Sequence, residues 1–397
     1  MILQQSKKTN GNYVGLVDIG SASITVSVLN NTNLDIIWTQ QEFMSGKKIA
    51  DVNYRNSPLT ALVNAVLILG NDGIKTLKTF DSEGTLRTLQ FSLSAPWSYT
   101  ITKKINIKKE TEFIVTNKLI REIGKSIENK TESEITESDI ANSLDLSIVT
   151  RAITEIKAND YRVDDIEKKT VKSLSMTVTS TVIQDYLYET INDIQQKVFP
   201  NIQKQIHSTI LQLYYVLLKI RPDMKEYTLV NMTLEVTEIG VIREGILTFT
   251  THSKFGIGTI ARDISQKIGL PIGEIYSSMQ SNSWSGYYLN LSNTNQKIVD
   301  DILNDYTVKL HDLFNQTGDS FTLSKSLYVH STGKTFSTIS KAIDNAAEKT
   351  TGLKHIIHNL DRIIENKDNN SLHNTTIQNL TGFFFHTYNK NPRFIHL

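Results

Sequence analysis

Residues Tyr13–Leu29 read YVGLVDIGSASITVSVL. The first half is apolar and β-favouring and ends on a carboxylate, Asp18, with Gly20, Ser21 and Ser23 close behind. Apolar alternation then resumes at Ile24, Val26 and Val28, so the pattern predicts strand, tight turn, strand. Packing alone does not call for a carboxylate at a strand end. Two readings meet the pattern. In the first, Gly20 takes positive φ and lets the backbone approach an anion, and the Ser21 and Ser23 hydroxyls bond phosphate oxygens. Asp18 then orients water on magnesium, a hard cation that prefers oxygen ligands. In the second, Asp-x-Gly is an ordinary hairpin turn.

Composition narrows the classes. A chain of 397 residues exceeds one small core, and two or more lobes are expected. The absence of cysteine excludes disulfides, thiolate metal sites and cysteine nucleophiles. A net charge of +1 gives no overall attraction to nucleic acid, and no nucleic-acid partner is expected. No apolar run approaches the ~20 residues of a membrane-spanning helix, and MILQQSKKTNGNY lacks the apolar core of a signal peptide. The expected location is the cytoplasm, including the inner face of the cell membrane.

Along the chain, residues 1–12 read as a tail. A first lobe is expected over 13–97 and 166–224, interrupted by an α+β insert at 98–165. Its strands are Val14–Ile19, Ser23–Leu29, a stretch near Leu34–Gln41, Leu86–Leu93 and, after the insert, Ser173–Ile183. A helix at Ser57–Leu69 should end at Gly70, and two more are expected at Gln184–Val198 and Ile202–Lys219, divided by Pro200. The second lobe is expected over 225–258 and 322–365, with a helical subdomain at 259–321 and a tail at 366–397. Strand, turn, strand recurs there, at Asn231–Glu235.

The order of these pieces resembles the actin-like ATPases, and within them the division protein FtsA and the pilus-assembly protein PilM. VGLVDIGSASITVSVL is similar to the first phosphate loop of that family. FSLSAPWSYT leads into what looks like the extra subdomain of those two proteins. LVNMTLEVTEIGVIREGIL stands where the second phosphate loop belongs, KFGIGTIARDISQKIGL resembles the helix entry after it, and YVHSTGKTFSTI occupies the place of the adenosine turn. The resemblance runs from about Tyr13 to Leu353. It implies a two-lobed α/β actin-like (ribonuclease H-like) fold with an FtsA/PilM-type insert. It also implies ATP with Mg2+ as ligand, held by Asp18, Gly20, Ser21, Ser23, Thr237, Gly333 and Lys334, with Asp18 on the metal side.

The departures matter equally. The family's second loop is Asp-x-Gly-Gly; here Asn231, Thr233 and Leu234 fill those places, followed by Glu235 and Thr237. One of two magnesium-facing carboxylates is lost, and side chains stand where amides should approach phosphate. Only Gly333 remains of the paired adenosine glycines, and Gly333-Lys334-Thr335 is not a P-loop, because Tyr328 sits where its first glycine must be. No catalytic base stands out: Gln205, His207 and Ser208 are polar candidates at the start of a predicted helix. His355 and His358 have helical i,i+3 spacing but no third ligand, and Lys103, Lys104, Lys108 and Lys109 read as an exposed strand edge.

The expected function is thus an actin-like cytoplasmic scaffold with weak or lost ATPase activity, linking a membrane-bound partner to pilus-assembly or cell-division machinery. A partner peptide would lie in the cleft between first lobe and insert, and self-association is a further expectation. The alternative is an active, ATP-gated, filament-forming ATPase; a sugar kinase is disfavoured by the insert. The tail LTGFFFHTYNKNPRFIHL has two readings, docking on a membrane surface or packing back onto a lobe.

Overall fold

The computed structural model describes residues 12–44, 56–137, 145–163, 166–280, 284–318, 323–331 and 335–365, together with 382 and 384. Three sheets organise them. The first runs β3-β2-β1-β4-β9, from β1 (Asn12–Ile19), β2 (Ser23–Asn30), β3 (Ile36–Phe43), β4 (Thr85–Leu93) and β9 (Gln203–Ser208). The third runs β5-β8-β6-β7, from β5 (Ser98–Ile114), β6 (Leu146–Ala158), β7 (Tyr161–Arg162) and β8 (Thr170–Gln184). The second runs β12-β11-β10-β13-β14, from β10 (Tyr227–Met232), β11 (Thr237–Arg243), β12 (Ile246–Ser253), β13 (Ser326–Ser331) and β14 (Ile356–Asn359).

The first and second sheets repeat one plan. In each, three strands form an antiparallel meander and two more add in parallel beside its first strand. Thus β10 corresponds to β1, β13 to β4 and β14 to β9. This duplicated, two-lobed α/β arrangement is the one the motif order implied. It also aligns Asp18 with Asn231, each one residue before the end of its strand.

Helices cover these sheets. Over the first lie α1 (Asn56–Ile68), α2 (Ile74–Phe80) and α4 (Asp185–Val198), whose apolar faces meet the Val17, Ile24, Val26 and Phe91 side. Gly70 does not end a helix: the π-turn Leu69–Gly73 carries the chain on from α1 into α2. Gly70 fits there because a Cβ would come within 2.6 Å of Val198. On the third sheet lies α3 (Asn117–Glu137), burying Ile120, Ile123 and Ile127. The second lobe carries α6 (Ile257–Ile268), α7 (Ile272–Gln280), α8 (Trp284–Leu289), α9 (Asn293–Asn315), α10 (Phe336–Thr351) and α11 (Leu360–Glu365).

Two expectations are corrected. Ser173–Ile183 lies within β8, and β8 pairs with β5 and β6 in the third sheet rather than returning to the first. Its alternating Val and Thr suit either sheet, so pattern alone cannot assign it. The predicted helix Ile202–Lys219 is two elements, β9 and then α5 (Thr209–Ile220). Its first residues, Gln203–Ser208, complete the first sheet by pairing with β4.

α5 joins the lobes. Ten of its twelve residues are buried, as expected for a helix that is apolar all round. It packs against Tyr227, Leu229, Ile242 and Leu247 of the second lobe, and Tyr214 Oη donates to Gly245 O at 2.8 Å. Each fully buried leucine or isoleucine contributes about 1.5–3 kcal/mol, so this seam is a firm junction. Phe384 belongs to the same cluster: it is fully buried, edge-on to His207 at 5.0 Å and stacked on Tyr215 at 5.8 Å. The membrane-docking reading of the FFF run is therefore wrong for Phe384, which packs back onto the first lobe. Its flanking phenylalanines lie outside the described residues. Among the described residues no helix is long and apolar enough to cross a membrane.

Candidate functional site: the facing turns of the two lobes

The β1–β2 turn is fixed from below. Gly20 N donates to Ser23 O at 2.9 Å, and Trp97 Nε1 donates to Gly20 O at 2.7 Å. Gly20 does not adopt the positive φ expected of it; a Cβ there would make a tight 3.0 Å contact with Ser23 O. The turn's hydroxyls have protein partners. Ser23 Oγ accepts from Gln41 Nε2 at 2.9 Å. Ser21 Oγ accepts from Thr233 Oγ1 at 2.7 Å and from the Glu235 amide at 2.9 Å. Ser21 and Thr233 are both buried, so the first loop is clasped directly to the second.

The second loop is held just as closely from its other side. Thr233 N and Oγ1 both bond Val236 O at 2.9 Å, and Glu235 forms a two-pronged pair with Arg262 at 2.7 and 3.2 Å. A helix N-terminus offers free N–H groups and positive potential, which makes it a natural anion seat. Here α6 spends those donors on the loop: Ile257 N bonds Thr233 O at 2.9 Å, and Gly258 N bonds Leu234 O at 2.7 Å. Gly256 permits the contact, because a Cβ would fall 2.2 Å from Thr233 O. Thr237, expected to offer a hydroxyl, donates it to Phe255 O at 2.8 Å. Gly333 and Lys334 lie outside the described residues.

Behind the clasp runs a buried polar row. In the second sheet Asn231 stands opposite Glu238 on β11 and His330 on β13. His330 also interacts electrostatically with Asp18 across the lobe boundary. Burial pushes the Asp18 carboxyl up to about 7, while His330 and a bond to Ser92 pull it back down. Burial likewise pushes Glu238 up to about 8, opposed by Asn231 and the Ala95 amide. Asp18 Oδ1, Asn231 Oδ1 and Ser331 Oγ are buried and have no hydrogen-bond partner.

For the magnesium and triphosphate that the resemblance implies, the fit is poor. Of the two equivalent strand-end positions one holds a carboxyl, Asp18, pushed up to about 7 by burial, and the other holds the amide of Asn231. Among the described residues no group of three or more His, Asp or Glu is placed to hold a metal. The Ser21, Ser23 and Thr237 hydroxyls and the Glu235, Ile257 and Gly258 amides already bond the protein.

Of the remaining candidates, Gln205, His207 and Ser208 lie on β9 rather than on a helix. Ser208 Oγ bonds Thr100 Oγ1 at 2.6 Å, and His207 packs on Phe384. His355 bonds Thr351 and the Ser324 carbonyl, whereas His358 stacks on Tyr328 at 4.5 Å; neither is helical, so their spacing does not bring them together. Lys103, Lys104, Lys108 and Lys109 lie, as expected, on β5 at a sheet edge. Sequence reasoning missed Glu238, His330 and the buried Gln212–Ser92–Thr209–Ser94 chain of bonds at 2.8–3.2 Å. A glutamate inside the apolar run VTEIGVI was the one available signal.

No family model matches the chain, and no curated protein matches it. Solved structures do. The structure described as a PilM–PilN type IV pilus biogenesis complex aligns over 96% of this chain and 98% of that one, with TM-score 0.55 and 11% identity. The ethanolamine utilization protein EutJ of Carboxydothermus hydrogenoformans aligns over 96% and 92%, with TM-score 0.44 and 10% identity. Component A of the (R)-2-hydroxyglutaryl-CoA dehydratase of Acidaminococcus fermentans aligns over 95% and 98%, with TM-score 0.42 and 8% identity. What the chain shares at such identity is the fold: a two-lobed, actin-like α/β protein, similar to PilM.

Proposed function

We propose that this chain is an actin-like scaffold of the PilM kind that has given up ATP hydrolysis and works by holding protein partners. The observation that carries the reading is the double acceptance by Ser21 Oγ, from Thr233 Oγ1 and the Glu235 amide, at the point where phosphate would lie. Phosphoryl transfer depends on positioned water and on donors free to stabilise charge on the transferred group. Here the α6 donors are bound to Thr233 and Leu234 carbonyls, and Asn231 stands where the family has an aspartate.

The partner reading draws on the PilM–PilN complex, to which this chain is similar in fold. By that likeness a partner peptide lies between the first lobe and the third sheet. The partner is membrane-bound, and the protein works in the cytoplasm at the inner face of the membrane. The lobes' firm α5 seam suits a rigid platform better than an opening and closing motor.

Calorimetry with magnesium-ATP, on the full chain and on Asp18→Ala, tests this. No binding at millimolar nucleotide is expected from either. A Kd tighter than about 10 μM, near −7 kcal/mol, that disappears in Asp18→Ala would sink the reading in favour of an ATP-gated filament former.

A further inference from the structure

A cavity of about 200 Å³ opens between the third sheet and the second lobe. Tyr99, Ile101, Leu146, Val182 and His252 line it, and Glu238 reaches it from β11. Glu238 and His252 are opposite partners on β11 and β12, so their side chains stand on one face of the sheet. The Tyr99 ring lies 5.5 Å from that of His252. Glu238 is 4% exposed, and its bonds come from the Asn231 amide group, at a long 3.5 Å, and the Ala95 N–H. Among the described residues no Lys, Arg or His forms an ion pair with it. A buried carboxyl without a cation is costly to ionise, and the cavity is smaller than the roughly 300–1,000 Å³ of cofactor pockets. It has room for one long side chain.

We infer that this cavity is a socket for a single basic side chain, lysine or arginine, presented by a partner protein. The cationic head meets Glu238 beside the tilted Tyr99 and His252 rings, and the methylene stem lies along Ile101, Leu146 and Val182. The other titratable groups at the socket do not supply the missing charge: burial pushes the Tyr99 phenol up, and burial together with Lys254 keeps the His252 imidazole down. The inference shares with the scaffold reading only that the occupant belongs to a partner. Nucleotide binding is not among its readouts, so either idea can fail alone.

The test titrates N-acetyl-lysine methylamide against the full chain, with N-acetyl-norleucine methylamide as the uncharged match, following the His252 and Tyr99 ring resonances. The lysine probe is expected to bind and the norleucine probe not. Binding requires the ionised carboxyl, so affinity should climb about tenfold per pH unit from pH 6 towards 8. Glu238→Gln should abolish it. Leu146→Trp, which fills the cavity and leaves the carboxyl in place, should abolish it too, and guards against a Glu238 variant that fails to fold. Equal binding of the two probes, a flat pH profile, or lysine binding that survives both substitutions would overturn the inference.

Discussion

The first turns of the two lobes occupy equivalent places in equivalent sheets, yet their chemistry has diverged. In the first sheet Asp18 is flanked by Thr25 on β2 and Ser92 on β4; in the second, Asn231 is flanked by Glu238 on β11 and His330 on β13. In one lobe the strand end holds a carboxyl. In the other it holds an amide, and the carboxyl of Glu238 stands one strand to the side. The first turn presents a hydroxyl towards the boundary, and the second captures it. Strand order is set by burial on both faces, which tolerates exchange of one apolar residue for another. A phosphate seat depends on a few free donors and bare glycines, so single side chains at such positions change it more readily than they change strand order.

The sharpest way to break the contrast is to make the second lobe resemble the first. Asn231→Asp would place a carboxyl beside Glu238 and facing the Asp18 side. The expected loss of stability is on the order of 5 kcal/mol at pH 8, shrinking at pH 5 as the carboxyls take up protons. Urea unfolding with and without magnesium checks it. Recovery of the lost stability by magnesium alone would mean that the row is a working metal site.

Asp18 tests the other lobe. Its folded carboxyl keeps a proton to about pH 7, whereas an unfolded aspartate releases it near 4. Between these values the folded state binds more protons, so the stability that Asp18 contributes falls as pH rises from 4 to 7 and is level above. The span is on the order of 4 kcal/mol, and Asp18→Asn should remove that slope from a pH series of unfolding curves. A wild-type curve that instead gains stability across this window would contradict the buried, unpaired placement of Oδ1.

Smaller effects probe the contact between the turns. Gly256→Ala forces a Cβ into Thr233 O and should cost about 3 kcal/mol, the upper part of the overpacking range. Ser21→Ala leaves the Glu235 amide without its acceptor and the Thr233 hydroxyl with Val236 O alone, and should cost about 2 kcal/mol. A cost below about 0.5 kcal/mol for Ser21→Ala would show that water replaces the clasp without loss.

Much of the architecture was legible before the structure. Tyr13–Leu29 and Lys225–His252 carry strong strand alternation bounded by turn residues, and each folds accordingly. Gln203–Ser208 was misread because QKQIHS, with Ile206 its one apolar residue, shows no strand alternation of its own and reads as the start of the following helix until β4 claims it. Ser173–Ile183 was recognised as a strand, but its sheet follows from long-range pairing that no local pattern encodes. At the site, the pattern places Asp18 near the end of its strand and Ser21 and Thr233 in the two turns, where the structure has them. That Ser21 and Thr233, 212 positions apart, bond each other was beyond reach of spacing. Glu238 and His330 were hidden for the same reason: their meaning lies in which strands stand beside Asn231.

The central claim is that the phosphate seat is filled by the chain's own groups, and amide hydrogen exchange reads it directly. The Glu235, Ile257 and Gly258 amides are expected to be strongly protected in the free protein and unchanged by millimolar magnesium-ATP. Rapid exchange at these three amides in the free protein, with protection appearing when nucleotide is added, would contradict the claim.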